Sequence, residues 1–125
     1  MSYRLLVIDD EEDYLKAIVQ RLELRGIEVH GVGSGKEALA YLDGHRDEVD
    51  LVLLDVKMPG MGGIEVLRRI RRDHANLKVI MVTGHASEEF KRLGEELGAI
   101  GHLLKPIRLD TILERIEAAL RDDPK

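Results

Sequence analysis

The chain has 125 residues, 44% of them apolar, 34% charged and 3% aromatic, with a formal net charge of −5 and neither cysteine nor tryptophan. That length fits one domain with a real, largely aliphatic core, and the composition is that of a folded chain rather than a disordered one. The acidic balance argues against direct nucleic-acid binding, which needs a basic surface, and the missing cysteines exclude disulfides, zinc-thiolate centres and thiol catalysis.

Met1-Ser2-Tyr3-Arg4 leads straight into the apolar run 5–8, too short for the core of a signal peptide, and no stretch is long enough to cross a membrane. A cytoplasmic protein without membrane attachment is expected. Asp9 and Asp10 follow the run. The period then becomes helical, with Leu15, Ile18, Val19 and Leu22 on one face until Gly26 closes the segment. After the run 27–32, Ser34 and Glu37 form an S-x-x-E capping box that opens a helix through Leu42. The third run, Leu51-Val52-Leu53-Leu54, ends at Asp55 and gives way to the Pro- and Gly-rich turn Val56-Lys57-Met58-Pro59-Gly60-Met61-Gly62-Gly63. A helix is predicted from about 64 to 72. The fourth run, 79–82, ends at Thr83, and Ser87 is placed as the N-cap of a helix through Leu97. The fifth, 100–104, ends at Lys105, and a helix from about 109 to 120 precedes the polar tail 121–125. One domain over 1–120 is expected, with the tail as an end or the start of a linker.

The runs do not alternate apolar with polar, which is how strands read when both faces of a sheet are covered. Five β-α units in strict succession predict a doubly wound, five-stranded parallel sheet of order 2-1-3-4-5, flavodoxin-like, with helices on both faces. Chemistry in such a sheet sits beyond the carboxyl ends of the strands, where strand order reverses. There strands one and three would bring Asp9, Asp10 and Asp55 together. Charges about 4 Å apart repel by roughly 4 kcal/mol at an effective dielectric near 20, so a proton or a cation must intervene. All-oxygen ligands without a His pair or Cys favour Mg²⁺ over transition metals. Asp is a known covalent phosphoryl carrier, Lys105 can neutralise phosphoryl oxygens, and the Thr83 hydroxyl can donate to one of them.

Val7-Ile8-Asp9-Asp10-Glu11, Leu54-Asp55-Val56-Lys57-Met58-Pro59-Gly60, Val82-Thr83-Gly84 and Leu104-Lys105-Pro106 resemble, in order and spacing, the signature motifs of response-regulator receiver domains, across essentially the whole chain. The resemblance implies Asp55 as phosphoacceptor and Asp9 and Asp10 as the acidic pocket, with Asp10 the more direct ligand of Mg²⁺ and Lys57 giving its backbone carbonyl. It implies Thr83 and Lys105 on the phosphoryl oxygens, room left by Gly84 and a cis Lys105–Pro106 bond. It further implies a sensor histidine kinase or phosphotransfer protein as donor, docking on the first helix. A downstream effector or fused output domain would read the fourth helix, fifth strand and fifth helix, and phosphorylation-driven homodimers occur in the family. His102 departs from the pattern: it stands three residues before Lys105, where the family usually has an aromatic that switches with Thr83. Lys57 and His85 fill positions that often influence phosphoryl lifetime.

Other classes fit less well. A flavodoxin-like nucleotide binder needs a hydroxyl- or glycine-rich loop after the first strand, whereas Asp9-Asp10-Glu11-Glu12-Asp13 would repel phosphate. An aspartate-dependent phosphatase would carry its nucleophile after the first strand. A receiver-like adaptor that never takes phosphate has no need of the full set of acids, hydroxyl and lysine. Arg68, Arg69, Arg71 and Arg72 read as a solvated helix face, and His30, His45 and His74 are assigned no function.

Overall fold

Strand β3 (Leu51–Asp55) has all five residues buried, as an unbroken apolar run requires of a strand covered on both faces. In the computed structural model, which describes residues 3–57, 61–84 and 88–121, β3 is the centre of a parallel sheet. With β1 (Arg4–Ile8), β2 (Glu28–Val32), β4 (Lys78–Thr83) and β5 (Gly101–Leu104), the order is β2-β1-β3-β4-β5, as expected. Helices α1 (Glu12–Glu23), α2 (Gly35–His45), α3 (Gly63–Asp73), α4 (Glu88–Glu96) and α5 (Leu109–Arg121) follow the strands in turn, so α5 runs one residue into the expected tail. Ser87, His85, Met58, Pro59, Gly60 and 122–125 lie outside the described residues.

Alternation along the strands splits the core. Leu6, Ile8, Val52, Leu54, Val79 and Met81 pack with Ala38 and Leu42 of α2 and with Val66, Leu67 and Ile70 of α3. Leu5, Val7, Leu51, Leu53, Ile80 and Val82 face the other way, onto Ile18 and Leu22 of α1 and Ile112 and Ile116 of α5. Both halves are aliphatic, and each fully buried Leu or Ile contributes about 1.5–3 kcal/mol.

Local signals set the helix ends. The Ser34 hydroxyl accepts from the Glu37 N–H at 3.1 Å, while the Glu37 carboxylate accepts from the Gly33 N–H at 2.9 Å, one residue before the one a capping box ordinarily uses. Gly26, at φ 83°, turns the chain out of α1 in a left-handed conformation that residues with a Cβ avoid. The outer strands are shorter than their apolar runs. Ile27 is buried but precedes β2, and Ile100, half exposed, precedes β5.

Two expectations about surface residues change. Arg71 is not part of a solvated face: its guanidinium donates to the Ala75 and Leu77 carbonyls and ties the end of α3 to the start of β4. Of its neighbours, Arg68 and Arg69 both pair with Glu65, and Arg72 pairs with Asp73. The Tyr41 ring is stacked between His30 and His45, with centroids 3.9 and 4.1 Å away, so His30 joins the edge strand β2 to α2 while His45 stacks on Tyr41 within α2.

Candidate functional site

The register of β1 and β3 pairs Val7 with Leu53 and Ile8 with Leu54. One residue further, where both strands run out, the same register sets Asp9 beside Asp55. Both acids fall in the row that faces α1 and α5, and both are buried, at 2% and 4% exposure. Tyr14, Ile18, Val82, Ile107 and Ile112 form an apolar wall against them. The Asp9 N–H donates to the Val32 carbonyl at 3.1 Å and so extends the sheet. Its carboxylate does two further things: Oδ1 accepts from the Glu11 N–H at 2.9 Å, turning the chain into α1, and Oδ2 lies 2.8 Å from the Lys105 ammonium. On Asp55, Oδ1 accepts from the Lys57 N–H at 3.3 Å.

Lys105 reaches the acids because β5 ends beside β4. Its N–H donates to the Thr83 carbonyl at 2.7 Å, and the Lys105–Pro106 bond is cis. The ammonium stands 2.8 Å from Asp9, 2.7 Å from Glu11 and 3.7 Å from Asp55, and 4.6 Å from the centre of the Tyr14 ring. Burial works against this charge, but the bonds to Asp9 and Glu11 and the charges of Asp9 and Asp55 outweigh it and hold the ammonium above the usual lysine range. Burial also pushes the Tyr14 phenol up.

Asp55 bears the cost of the arrangement. Desolvation first, and then the neighbouring Asp9 charge, raise its pKa to about 6; the Lys105 charge and the Lys57 N–H only partly offset them. The nearby Asp10 carboxyl adds to the rise. Carboxylate oxygens of Asp9, Glu11 and Asp55 lie within 4.8 Å of one another. At that distance Asp9 and Asp55 repel by roughly 3 kcal/mol at an effective dielectric near 20. One amine facing three acids leaves negative charge in excess, and the donor set is oxygen alone. Such a cluster fits a hard divalent cation.

The chain matches the family model "Response regulator receiver domain" over residues 5–117. It belongs to the receiver-domain family. This is a regulatory domain of two-component response regulators whose general mechanism is phosphorylation on aspartate, and not an enzyme in the ordinary sense. The receiver is 40% identical over 118 residues to the transcriptional regulatory protein CpxR of Klebsiella pneumoniae, covering 94% of this chain and 49% of that protein. It is 38% identical over 117 residues to the sensory transduction protein RegX3 of Mycolicibacterium smegmatis, covering 94% and 50%. The chain thus spans about half the length of the curated relatives it matches. Among solved structures, a CheY-like receiver from Methanospirillum hungatei superposes with a TM-score of 0.90 at 33% identity, covering 98% of this chain and 96% of that one. The chemotaxis protein CheY4 of Vibrio cholerae gives 0.89 at 30% identity, covering 96% and 100%.

Of the residues singled out in the receiver's sequence, Asp9, Asp55 and Lys105 converge as expected. Thr83, 1% exposed, closes β4 within the same carboxyl edge. A Cβ added at Gly84 would meet none of the described residues within 4 Å. Asp10 is exposed and lies outside the close oxygen cluster; Glu11, to which no role was given, takes the third place. Tyr14 was likewise unassigned. Neither carries a local signal, since Glu11 reads as one acid in a run of acids and Tyr14 as an unremarkable residue early in a helix. His102 pairs with Met81 across the sheet, on the face opposite Leu103, and lines a hollow with Lys91, Glu95 and Arg115. Its buried Nε2 has no hydrogen-bond partner among the described residues.

Among the described residues, no helix is long and apolar enough to cross a membrane.

Proposed function

We propose that Asp55 is the phosphoacceptor of this receiver. The supporting observation is the buried Asp55 carboxylate with the Lys105 ammonium 3.7 Å away. An oxygen of Asp55 attacks the phosphorus while the donor's bond to phosphorus breaks, and the oxygens left on the phosphoryl group need positive charge and hydrogen-bond donors. Lys105 supplies the charge and the Thr83 hydroxyl a donor, while Gly84, having no side chain, leaves them room. Asp9, Asp10 and Asp55, with the Lys57 backbone carbonyl, would hold Mg²⁺, and Glu11 stands close enough to share in the cluster. The cation supplies neutralisation of the acids and of the incoming phosphate.

A sensor histidine kinase or phosphotransfer protein is the donor in this reading, and the receiver assists only its own phosphorylation and dephosphorylation. The added charge shifts a two-state equilibrium, with Thr83 and His102 as the switching pair. An effector, an output domain joined beyond residue 120, or a second copy of the receiver reads the result in the cytoplasm.

The test is incubation with acetyl phosphate and Mg²⁺ followed by mass spectrometry. One phosphoryl group is expected to be added in the presence of Mg²⁺ and none with Asp55→Asn. Labelling of Asp55→Asn to the wild-type level would end the proposal.

A further inference from the structure

Lys105 has three ammonium protons, and its two shortest contacts go elsewhere than to Asp55. The carboxylates that hold it are unlike. Asp9 is 3% exposed at its side chain and is pinned at its other oxygen by the Glu11 N–H, so it cannot move without undoing the entry to α1. The Glu11 side chain is 64% exposed, makes no capping bond to α1, and yet has the shortest contact to the ammonium, 2.7 Å. A carboxylate in that position regains its hydration when it lets go, whereas Asp9 would not.

From this we infer that Glu11 is a positioning residue, a releasable latch that holds the Lys105 ammonium off Asp55 in the unphosphorylated receiver and competes for it with the phosphoryl oxygens. The inference rests on the phosphoacceptor reading of Asp55 and deepens it. Phosphorylation on this account includes an exchange of partners: Lys105 keeps Asp9, gives up Glu11 and takes a phosphoryl oxygen, and Glu11 swings into water. The chain carries its own reporter of that movement, because the Tyr14 ring beneath the ammonium senses where the charge sits.

The experiment compares wild type, Glu11→Gln, Glu11→Ala and the control Glu12→Gln. Glu12 is the next acid along and pairs with Lys16 at 3.4 Å, so its neutralisation removes the same charge nearby without touching Lys105. Beryllofluoride, a phosphoryl mimic, is titrated at saturating Mg²⁺, and NMR follows the Lys105 ammonium and Tyr14 ring signals. Relative to wild type, both Glu11 variants are expected to bind beryllofluoride about two- to fivefold more tightly, the scale of one exposed ion pair, and Glu12→Gln to change little. In the free protein, the Lys105 and Tyr14 signals should move in the Glu11 variants alone. With beryllofluoride bound they should coincide with those of wild type, since the latch is then open in every protein. Equal tightening by Glu12→Gln, unmoved Lys105 signals, or weaker binding by the Glu11 variants, as a cation ligand would give, overturns the latch alone. A wild type that does not bind beryllofluoride overturns the phosphoacceptor reading and the latch with it.

Discussion

Leu54 and Asp55 are neighbours on β3, and both are buried, at 0% and 4% exposure. Leu54 sits in a two-sided apolar core and gives up nothing by leaving water. Asp55, one residue further on, is held where desolvation and Asp9 oppose its charge. The body of the sheet therefore stores the stability of the domain, and its carboxyl edge stores an excess of negative charge that a cation can relieve. That is the reverse of a site optimised for stability, and it is the arrangement expected where function and folding pull on adjacent residues.

The contrast can be broken most strongly in the body. Leu54→Ala should cost about 2–5 kcal/mol of unfolding free energy, seen as a lower urea midpoint with little change in slope. A loss under about 1 kcal/mol would mean that β3 is not packed against α2 and α3 on the face that Leu54 occupies.

At the edge the sign should reverse. The pKa of Asp55 is raised from an ordinary 3.8 to about 6, so the folded state binds the proton more tightly than the unfolded one. Near pH 4 the group is largely neutral in the folded state and costs little. As pH rises through about 6 it ionises, and the folded state loses stability relative to a neutral residue. A shift of about two units corresponds to about 3 kcal/mol. Asp55→Asn without added cation should therefore be more stable than wild type by up to about 3 kcal/mol at pH 8, and the gain should fade toward pH 4 in paired urea titrations. A pH-independent difference would show that packing, not charge, separates the two.

The smallest effect is expected at the outer strand. Leu104, the last residue of β5, is 49% exposed, so Leu104→Gln should move stability by no more than about 0.5 kcal/mol in the same assay.

Much of the fold was legible because its signals are local. The unbroken run 51–54 announced a doubly covered strand, Ser34 and Glu37 marked the start of α2, and Gly26 marked the end of α1. Elsewhere the chain carried no such mark. Four arginines within five residues look alike in sequence, but only Arg71 turns inward to the Ala75 and Leu77 carbonyls. His30 and His45 had no carboxylate or cysteine partner at ligand spacing, and what they meet is the face of Tyr41, four residues before His45 on α2 and across from His30 on β2.

The sequence by itself determined which residues would stand at the carboxyl ends of the strands, because strand and helix periods are properties of short segments. Asp9, Asp55, Thr83 and Lys105 follow from that alone. Only the tertiary structure decided which acid holds the amine. Asp10 and Glu11 are adjacent and chemically similar, and the choice between them depends on how the turn after β1 is bent by the Asp9 carboxylate and on where β5 delivers Lys105, 94 residues away along the chain. A contact at that separation is set by sheet register and by the direction of one backbone turn, which no local pattern of residue types encodes.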